Sequence, residues 1–234
     1  MPIYMLSEAL LFPPPELASE SGLLAVGGDL SPQRLLAAYR KGIFPWYSEQ
    51  DPILWWSPDP RMVLYPSRFH VSRSMRRIIN KAIFKVTMDT QFDTIIENCA
   101  RIRITNGEGT WITAEMERAY KRLYRMGFAH SVETWQEGEI VGGLYGVSLG
   151  GCFFGESMYS IRPNASKIAL YHLARFLEIH GFAFIDCQVY SEHMQRLGAC
   201  QIPRQRFMRQ LQVAIQKQTL KGDWNRFNQK MPKV

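Results

Sequence analysis

The chain has 234 residues, 46% hydrophobic and 21% charged, enough for one large domain or two modest ones with a real core. No run approaches the ~20 apolar residues of a membrane span, so a soluble protein without a membrane partner is expected. An excess of 28 Lys plus Arg over 21 Asp plus Glu gives a formal charge of +7, which points toward a polyanion.

The start, MPIYMLSEALLFPPPELASE, has no basic leader region and meets three prolines early, so a secretion signal is not expected and a cytoplasmic home follows. SPQRLLAAYRKG then carries helix signals: Ser31 as cap, Pro32 at the first helical position, Arg40 and Lys41 near the end, and Gly42 after it. The segment GIFPWYSEQDPILWWSPDPR, from Gly42 to Arg61, follows. Its Trp46, Trp55, Trp56, Phe44 and Tyr47 are stiffened by Pro45, Pro52, Pro58 and Pro60. Such a platform stacks a nucleobase or builds a domain seam. Composition becomes regular beyond it, which places a boundary near residues 60 to 66 and domains at 1–62 and 63–234.

In HVSRSMRRIINKAIFK, Ser72 caps a helix whose stripe is Val71, Met75, Ile78 and Ile79. Arg73, Arg76, Arg77 and Lys81 then point outward, toward nucleic-acid phosphates or simply toward solvent. A strand at FKVTMD, a helix near 91 to 100 with Phe92, Ile95, Ile96 and Cys99 on one stripe, and a Gly-rich loop come next. TAEMERAYKRLYRMG is a helix capped by Thr113, with Met116, Ala119, Tyr120 and Leu123 inward and Arg118, Lys121, Arg122 and Arg125 outward. HSVETWQ, EIVGGLYGVSL and GCFFGESMYS have the turn spacing of an antiparallel meander. SKIALYHLARFLEIHG is a helix ending at Gly181, FAFIDCQVY a buried strand, and SEHMQRLGA a helix capped by Ser191. The tail from about Gln216 is polar and basic and is expected to be loosely held.

Cys99, Cys152, Cys187 and Cys200 show no CxxC, so free thiols are expected. Cys187, His193 and Cys200 lack a fourth ligand, and no metal or other cofactor is expected. The element order resembles the acyltransferase fold of the GNAT superfamily. The expected class is therefore α+β: a small N-terminal α/β domain, then a larger GNAT-like domain with a mostly antiparallel central sheet flanked by helices. Where ordinary members bind acyl-CoA pyrophosphate at a helix N-terminus, this chain reads SIRPNASK, and Pro163, Asn164, Ala165 and Ser166 argue against that site.

The blocks GLLAVGGDLSP, GIFPWYS, ILWWSPDPR, EGTWIT, FFGESMYS, NASK, DCQ and LGACQIPR together resemble the bacterial leucyl/phenylalanyl-tRNA protein transferases, from about Phe12 to Phe207. The resemblance implies transfer of Leu or Phe, less readily Met, from aminoacyl-tRNA to the α-amine of proteins beginning with Arg or Lys, marking them for degradation. A monomer is expected. It also implies that Trp46, Trp111, Tyr39 and Tyr120 receive the terminal adenosine. Leu144, Phe153, Met158, Leu170, Leu173 and Ile185 would form the Leu/Phe pocket; each taken alone fits core better than pocket, and only their position beside GESM and IDCQ argues otherwise. Trp55 and Trp56 are assigned to packing, and Arg73, Arg76, Arg77 and Lys81 to tRNA phosphates.

For the chemistry, Asp186 and Gln188 stand two apart on a strand, so both are expected on one face, with Cys187 on the other and Glu156 of GESM nearby. In the family's proposed mechanism these two positions form a relay in which the amide oxygen draws a proton from the amine. Gln is a poor base, so Gln188 is read as orienting the amine while Asp186 or Glu156 supplies negative field and pairs with the acceptor's cation. The plainer alternative is that Asp186 and Gln188 pin a strand end and Glu156 caps a turn. Two rival functions stand beside the first: a GNAT-fold N-acyltransferase using acyl-CoA, and a non-catalytic RNA-binding module.

Overall fold

The computed structural model describes residues 3–105 and 111–228; residues 106–110, with the expected Gly-rich loop and the start of EGTWIT, lie outside the described residues. The first part of the chain forms β1 (Tyr4–Leu6), β2 (Leu23–Gly27), α1 (Pro32–Arg40), β3 (Phe44–Pro45) and β4 (Leu54–Trp56). Next come β5 (Arg61–Leu64), α2 (Arg73–Asn80), β6 (Lys85–Met88), α3 (Phe92–Thr105) and α4 (Ala114–Arg125). The meander is β7 (Ala129–Gln136), β8 (Glu139–Leu149) and β9 (Cys152–Ser160), followed by α5 (Ala165–Ile179), β10 (Phe184–Gln188) and α6 (Glu192–Arg196). β11 (Cys200–Ile202), α7 (Arg204–Ala214) and α8 (Asn225–Asn228) complete the described part.

The caps follow local chemistry. Ser31, Ser72, Thr113 and Ser191 each accept a hydrogen bond from the backbone N–H three residues on, at Arg34, Met75, Met116 and Met194. α1 stops where Gly42 adopts φ +66°, a position where a Cβ would lie 2.7 Å from the Phe207 ring. α3 runs five residues past the expected end at 100, through RIRIT.

The architecture is α+β, with a four-stranded sheet ordered β1-β2-β4-β3 and a seven-stranded sheet ordered β11-β5-β10-β9-β8-β7-β6. Among the described residues only β1/β2 and β10/β9 pair in parallel, so the large sheet is mostly antiparallel, as expected. The expected border at 62/63 falls inside β5, a strand of the large sheet. One apolar cluster joins the two sheets, running from Leu24, Tyr39 and Trp55 through Val63 to Phe154 and Phe207. Trp55 is fully buried, edge-on to Phe12, with its indole N–H donating to Gly27 O at 2.9 Å. No helix among the described residues is long and apolar enough to cross a membrane.

The tail departs from expectation. Trp224 is fully buried and stacks on His130 at 3.8 Å, and its backbone N–H donates to Asp89 Oδ2 at 2.8 Å. Asp89 also holds His130 Nδ1 at 2.8 Å and accepts from the Ser131 N–H. A lone tryptophan in an otherwise polar tail was the available signal, because burying an indole outweighs ordering a short segment. Trp224→Ala is expected to cost about 3–5 kcal/mol in urea unfolding and to expose residues after Gln216 to limited proteolysis. Unchanged proteolysis would show that the indole does not hold the tail.

Candidate active site

A cavity of about 330 Å³ opens on the large sheet between β8, β9, β10 and α5. All six expected pocket residues line it: Leu144, Phe153, Met158, Leu170, Leu173 and Ile185. Glu156, Gln188, Trp46 and Trp111 line the same space.

Two irregularities in strand pairing create this arrangement. Tyr145 pairs with Ser157 and Gly146 with Gly155, which leaves Glu156 as an extra residue in β9. The bulge inverts the alternation, so Phe153 before it and Met158 after it face one cavity although they are five residues apart. Gly146 makes the crowding possible, since a Cβ there would lie 2.2 Å from Phe154 O. In the second irregularity, Asp186 pairs with Val63 and Gln188 with Met62, leaving Cys187 unmatched. Gln188 there has φ +56°, a left-handed conformation that costs a non-glycine residue on the order of 1–3 kcal/mol.

The expectation that Asp186 and Gln188 share a face is therefore corrected. Gln188 lines the cavity, whereas Asp186 is fully buried away from its lining. Arg61 grips Asp186 with two bonds, Nε to Oδ1 at 2.8 Å and an Nη to Oδ2 at 2.6 Å. Asp186 Oδ1 also accepts from the Gln188 backbone N–H at 3.0 Å. Both carboxylate oxygens are engaged, so Asp186 touches the cavity wall by holding the backbone N–H of Gln188. Arg61, which the sequence reading missed, lies between the rings of Phe44 and Phe207, 4.8 and 4.6 Å from their centres. Its signal was slight: a single Arg closing ILWWSPDPR.

Tyr39 and Tyr120 are corrected as well. Both rings are fully buried and neither lines the cavity, so neither offers a face to a base. Their hydroxyls converge on Glu156 instead, at 2.7 Å to Oε1 and 2.8 Å to Oε2. Burial pushes the Glu156 carboxyl up to about 7, against the lowering effect of the two hydroxyls; the Asp186 charge raises it further and Arg61 lowers it. The Gln188 side-chain amide N lies 3.5 Å from Glu156 Oε1. Burial also pushes the Cys187 thiol up, which disfavours a thiolate in the cavity wall.

Of the expected stacking residues, Trp46 keeps 41% of its surface exposed and Trp111 is half-buried. Trp56, 5.9 Å from Trp46 between ring centres, donates its indole N–H to Trp46 O. Arg73, Arg76, Arg77 and Lys81 are all exposed, and none pairs with a described acidic residue. On α4, by contrast, Lys121 is held by Glu97 and Glu117 at 2.7 Å each.

The described residues form an α+β fold whose mostly antiparallel sheet carries an apolar cavity with a carboxyl and an amide beside it. The chain belongs to the leucyl/phenylalanyl-tRNA protein transferase family. The family model of that description matches residues 63–212, and the model of its N-terminal domain matches residues 28–59. The chain is 57% identical to the leucyl/phenylalanyl-tRNA protein transferase of Desulfatibacillum aliphaticivorans, covering 96% of this chain and 97% of that one. It is 55% identical to that of Myxococcus xanthus, with the same coverage. Solved structures align weakly. An aminoglycoside acetyltransferase from soil metagenomic DNA has a TM-score of 0.38 and 14% identity, covering 50% of this chain and 85% of that one. L-PGS from Bacillus licheniformis reaches 0.39 and 14%, covering 70% and 52%.

Asp186→Ala leaves Arg61 buried without its partner and is expected to cost about 3–5 kcal/mol in urea unfolding. Replacing both Arg61 and Asp186 with Leu should cost less than the two single changes added together. Simple additivity would mean that the pair is not coupled.

Proposed function

We propose that the enzyme transfers Leu or Phe, less readily Met, from aminoacyl-tRNA to the α-amine of proteins beginning with Arg or Lys, marking them for degradation in the cytoplasm, and that it works as a monomer. One observation carries this: a single cavity gathers the six apolar residues, two accessible tryptophans, a carboxyl and an amide. Family membership supports it from a separate direction.

Aminoacyl-tRNA is an activated ester, and an α-amine of intrinsic pKa ~7.7–8.0 attacks it with positioning alone, without a cofactor. The N–C bond forms, the C–O bond to the ribose breaks, the amine loses a proton and the ribose oxygen gains one. The apolar wall receives the Leu or Phe side chain, and fit of this kind discriminates by ~1–3 kcal/mol per methylene. Met158 is flexible enough to accept either shape. The terminal adenosine stacks on Trp46 and Trp111, the two expected aromatics whose rings are not sealed in the core. The exposed cations Arg73, Arg76, Arg77 and Lys81 contact tRNA phosphates.

Gln188 orients the α-amine. Glu156, the only carboxylate among the described residues lining the cavity, takes the cationic side chain of the acceptor once it is ionised, a role that the sealed Asp186 does not share. Against the acyl-CoA alternative, the Ser166 N–H at the start of α5 is already met by Ser160 Oγ at 3.2 Å, where a pyrophosphate would have to bind.

Labelled Phe should pass from charged tRNA to a peptide beginning with Lys, and added acyl-CoA should not compete; no transfer from tRNA at any salt concentration defeats the proposal. Gln188→Ala should lower kcat on the order of 100-fold with little change in tRNA affinity. Reversing Arg73 and Arg77 to Glu should weaken tRNA binding and flatten its salt dependence by about one slope unit per lost contact. An unchanged slope removes α2 from the interface.

A further inference from the structure

Around Glu156 the short contacts outnumber the hydrogens that an ionised site would have. Tyr39 Oη lies 2.7 Å from Glu156 Oε1, Tyr120 Oη lies 2.8 Å from Oε2, and the two phenol oxygens lie 2.7 Å from each other. All three are hydrogen-bond distances between oxygens. Two phenols bring two hydrogens. If both go to a carboxylate, the Tyr39 and Tyr120 oxygens meet at 2.7 Å with only lone pairs between them. If one phenol donates to the other, a short contact to the carboxylate is left without a hydrogen. A third hydrogen resolves both conflicts, and the carboxyl is the group that can carry it.

We propose that Glu156 holds a proton in the free enzyme and that Tyr39, Tyr120 and Glu156 share it around a closed ring of three hydrogen bonds. In one sense of the ring, the Glu156 Oε2 hydroxyl donates to Tyr120, Tyr120 donates to Tyr39, and Tyr39 donates to Oε1. The reverse sense satisfies the same contacts. In both, Glu156 Oε1 can still accept from the Gln188 amide N, which turns the Gln188 carbonyl oxygen away from Glu156. Tyr39 and Tyr120 are thus positioning residues that act through Glu156.

The surroundings agree with a neutral carboxyl. The charges of Arg61 and Asp186, from β5 and β10, cancel against each other at 2.6 Å. Tyr145 of β8, Tyr39 of α1 and Tyr120 of α4 bring no positive charge, and burial with the nearby Glu156 pushes the Tyr39 and Tyr120 hydroxyls well above their usual range. The upward displacement of the Glu156 carboxyl has the same sense. A consequence follows, resting on the transferase reading: an acceptor's cation favours the ionised carboxyl, so binding it opens the ring and releases one proton to solvent.

The test is an infrared titration of the free protein from about pH 5 to about pH 9, following the carbonyl band of a protonated carboxyl near neutral pH. The band should be present at the acid end, disappear with a midpoint near 7, and be lost in Glu156→Gln. Carbon-13 labelling of glutamate assigns it in the wild-type protein should that variant not fold. Tyr39→Phe and Tyr120→Phe decide the ring itself. If the phenols merely donate to a carboxylate, removing one raises the midpoint; in the ring, removal relieves the unmet contact of the ionised form and lowers the midpoint by about one pH unit. A raised midpoint, or no band in the wild type, overturns the proposal. Proton release on adding a Lys-initiated peptide, read with an indicator dye in weak buffer, tests the acceptor role separately. Its absence while the band behaves as expected overturns that part of the transferase reading and supports the ring alone.

Discussion

The ion pair between Arg61 and Asp186 is the contact on which the rest of the site depends. Its two charges are fully buried and joined by two hydrogen bonds, and the guanidinium also lies between Phe44 and Phe207. Four elements meet there: β5, β10, the short strand leading to Trp46, and α7. A buried ion pair adds little net stability, because desolvation offsets the attraction. What it supplies is geometry, since neither partner can move without leaving a bare charge. Asp186 transmits that rigidity by holding the Gln188 N–H, which keeps an unfavourable left-handed residue at the cavity wall.

Two of the strand irregularities, and one of the left-handed non-glycine residues, lie at the cavity. Glu156 stands in one bulge and Gln188 ends a strand at another, and both strands are regular elsewhere along most of their pairing. A bulge frees one residue from the alternation that would otherwise fix its direction. Here it sends Glu156 toward two tyrosines of α1 and α4 while keeping Phe153 and Met158 on the cavity side. The tyrosine hydroxyls converge on the carboxyl because their rings are locked in the core, against Phe154 and Tyr145. Aromatic packing therefore places the two hydroxyls that meet Glu156, and no charged side chain among the described residues forms an ion pair with it.

Much of this was legible in the chain. Ser31, Ser72, Thr113 and Ser191 announced their helices because capping is a bond to a neighbour three residues away. The inward stripe of α4 and the three-strand meander were visible because periodicities of 3.6 and 2 survive in any tertiary setting. The six residues expected to form the Leu/Phe pocket came from resemblance to the family, and all six line one cavity. The tyrosines were misassigned because an aromatic side chain reads alike whether its ring meets a ligand or its hydroxyl meets a carboxyl. Asp186 was misassigned because period 2 was assumed across a bulge that depends on the register against Val63 and Met62.

The sequence by itself determined the capped starts of four helices, the meander, the cluster of rigid aromatics and the family, because each of these rests on near neighbours or on long matching blocks. Only the tertiary structure decided that Asp186 faces Arg61, that Tyr39 and Tyr120 serve Glu156, and that Trp224 anchors the tail. Those outcomes join residues 36 to 135 positions apart. Which partner such a side chain meets is set by register and packing across the sheet, and no local rule of spacing carries that information.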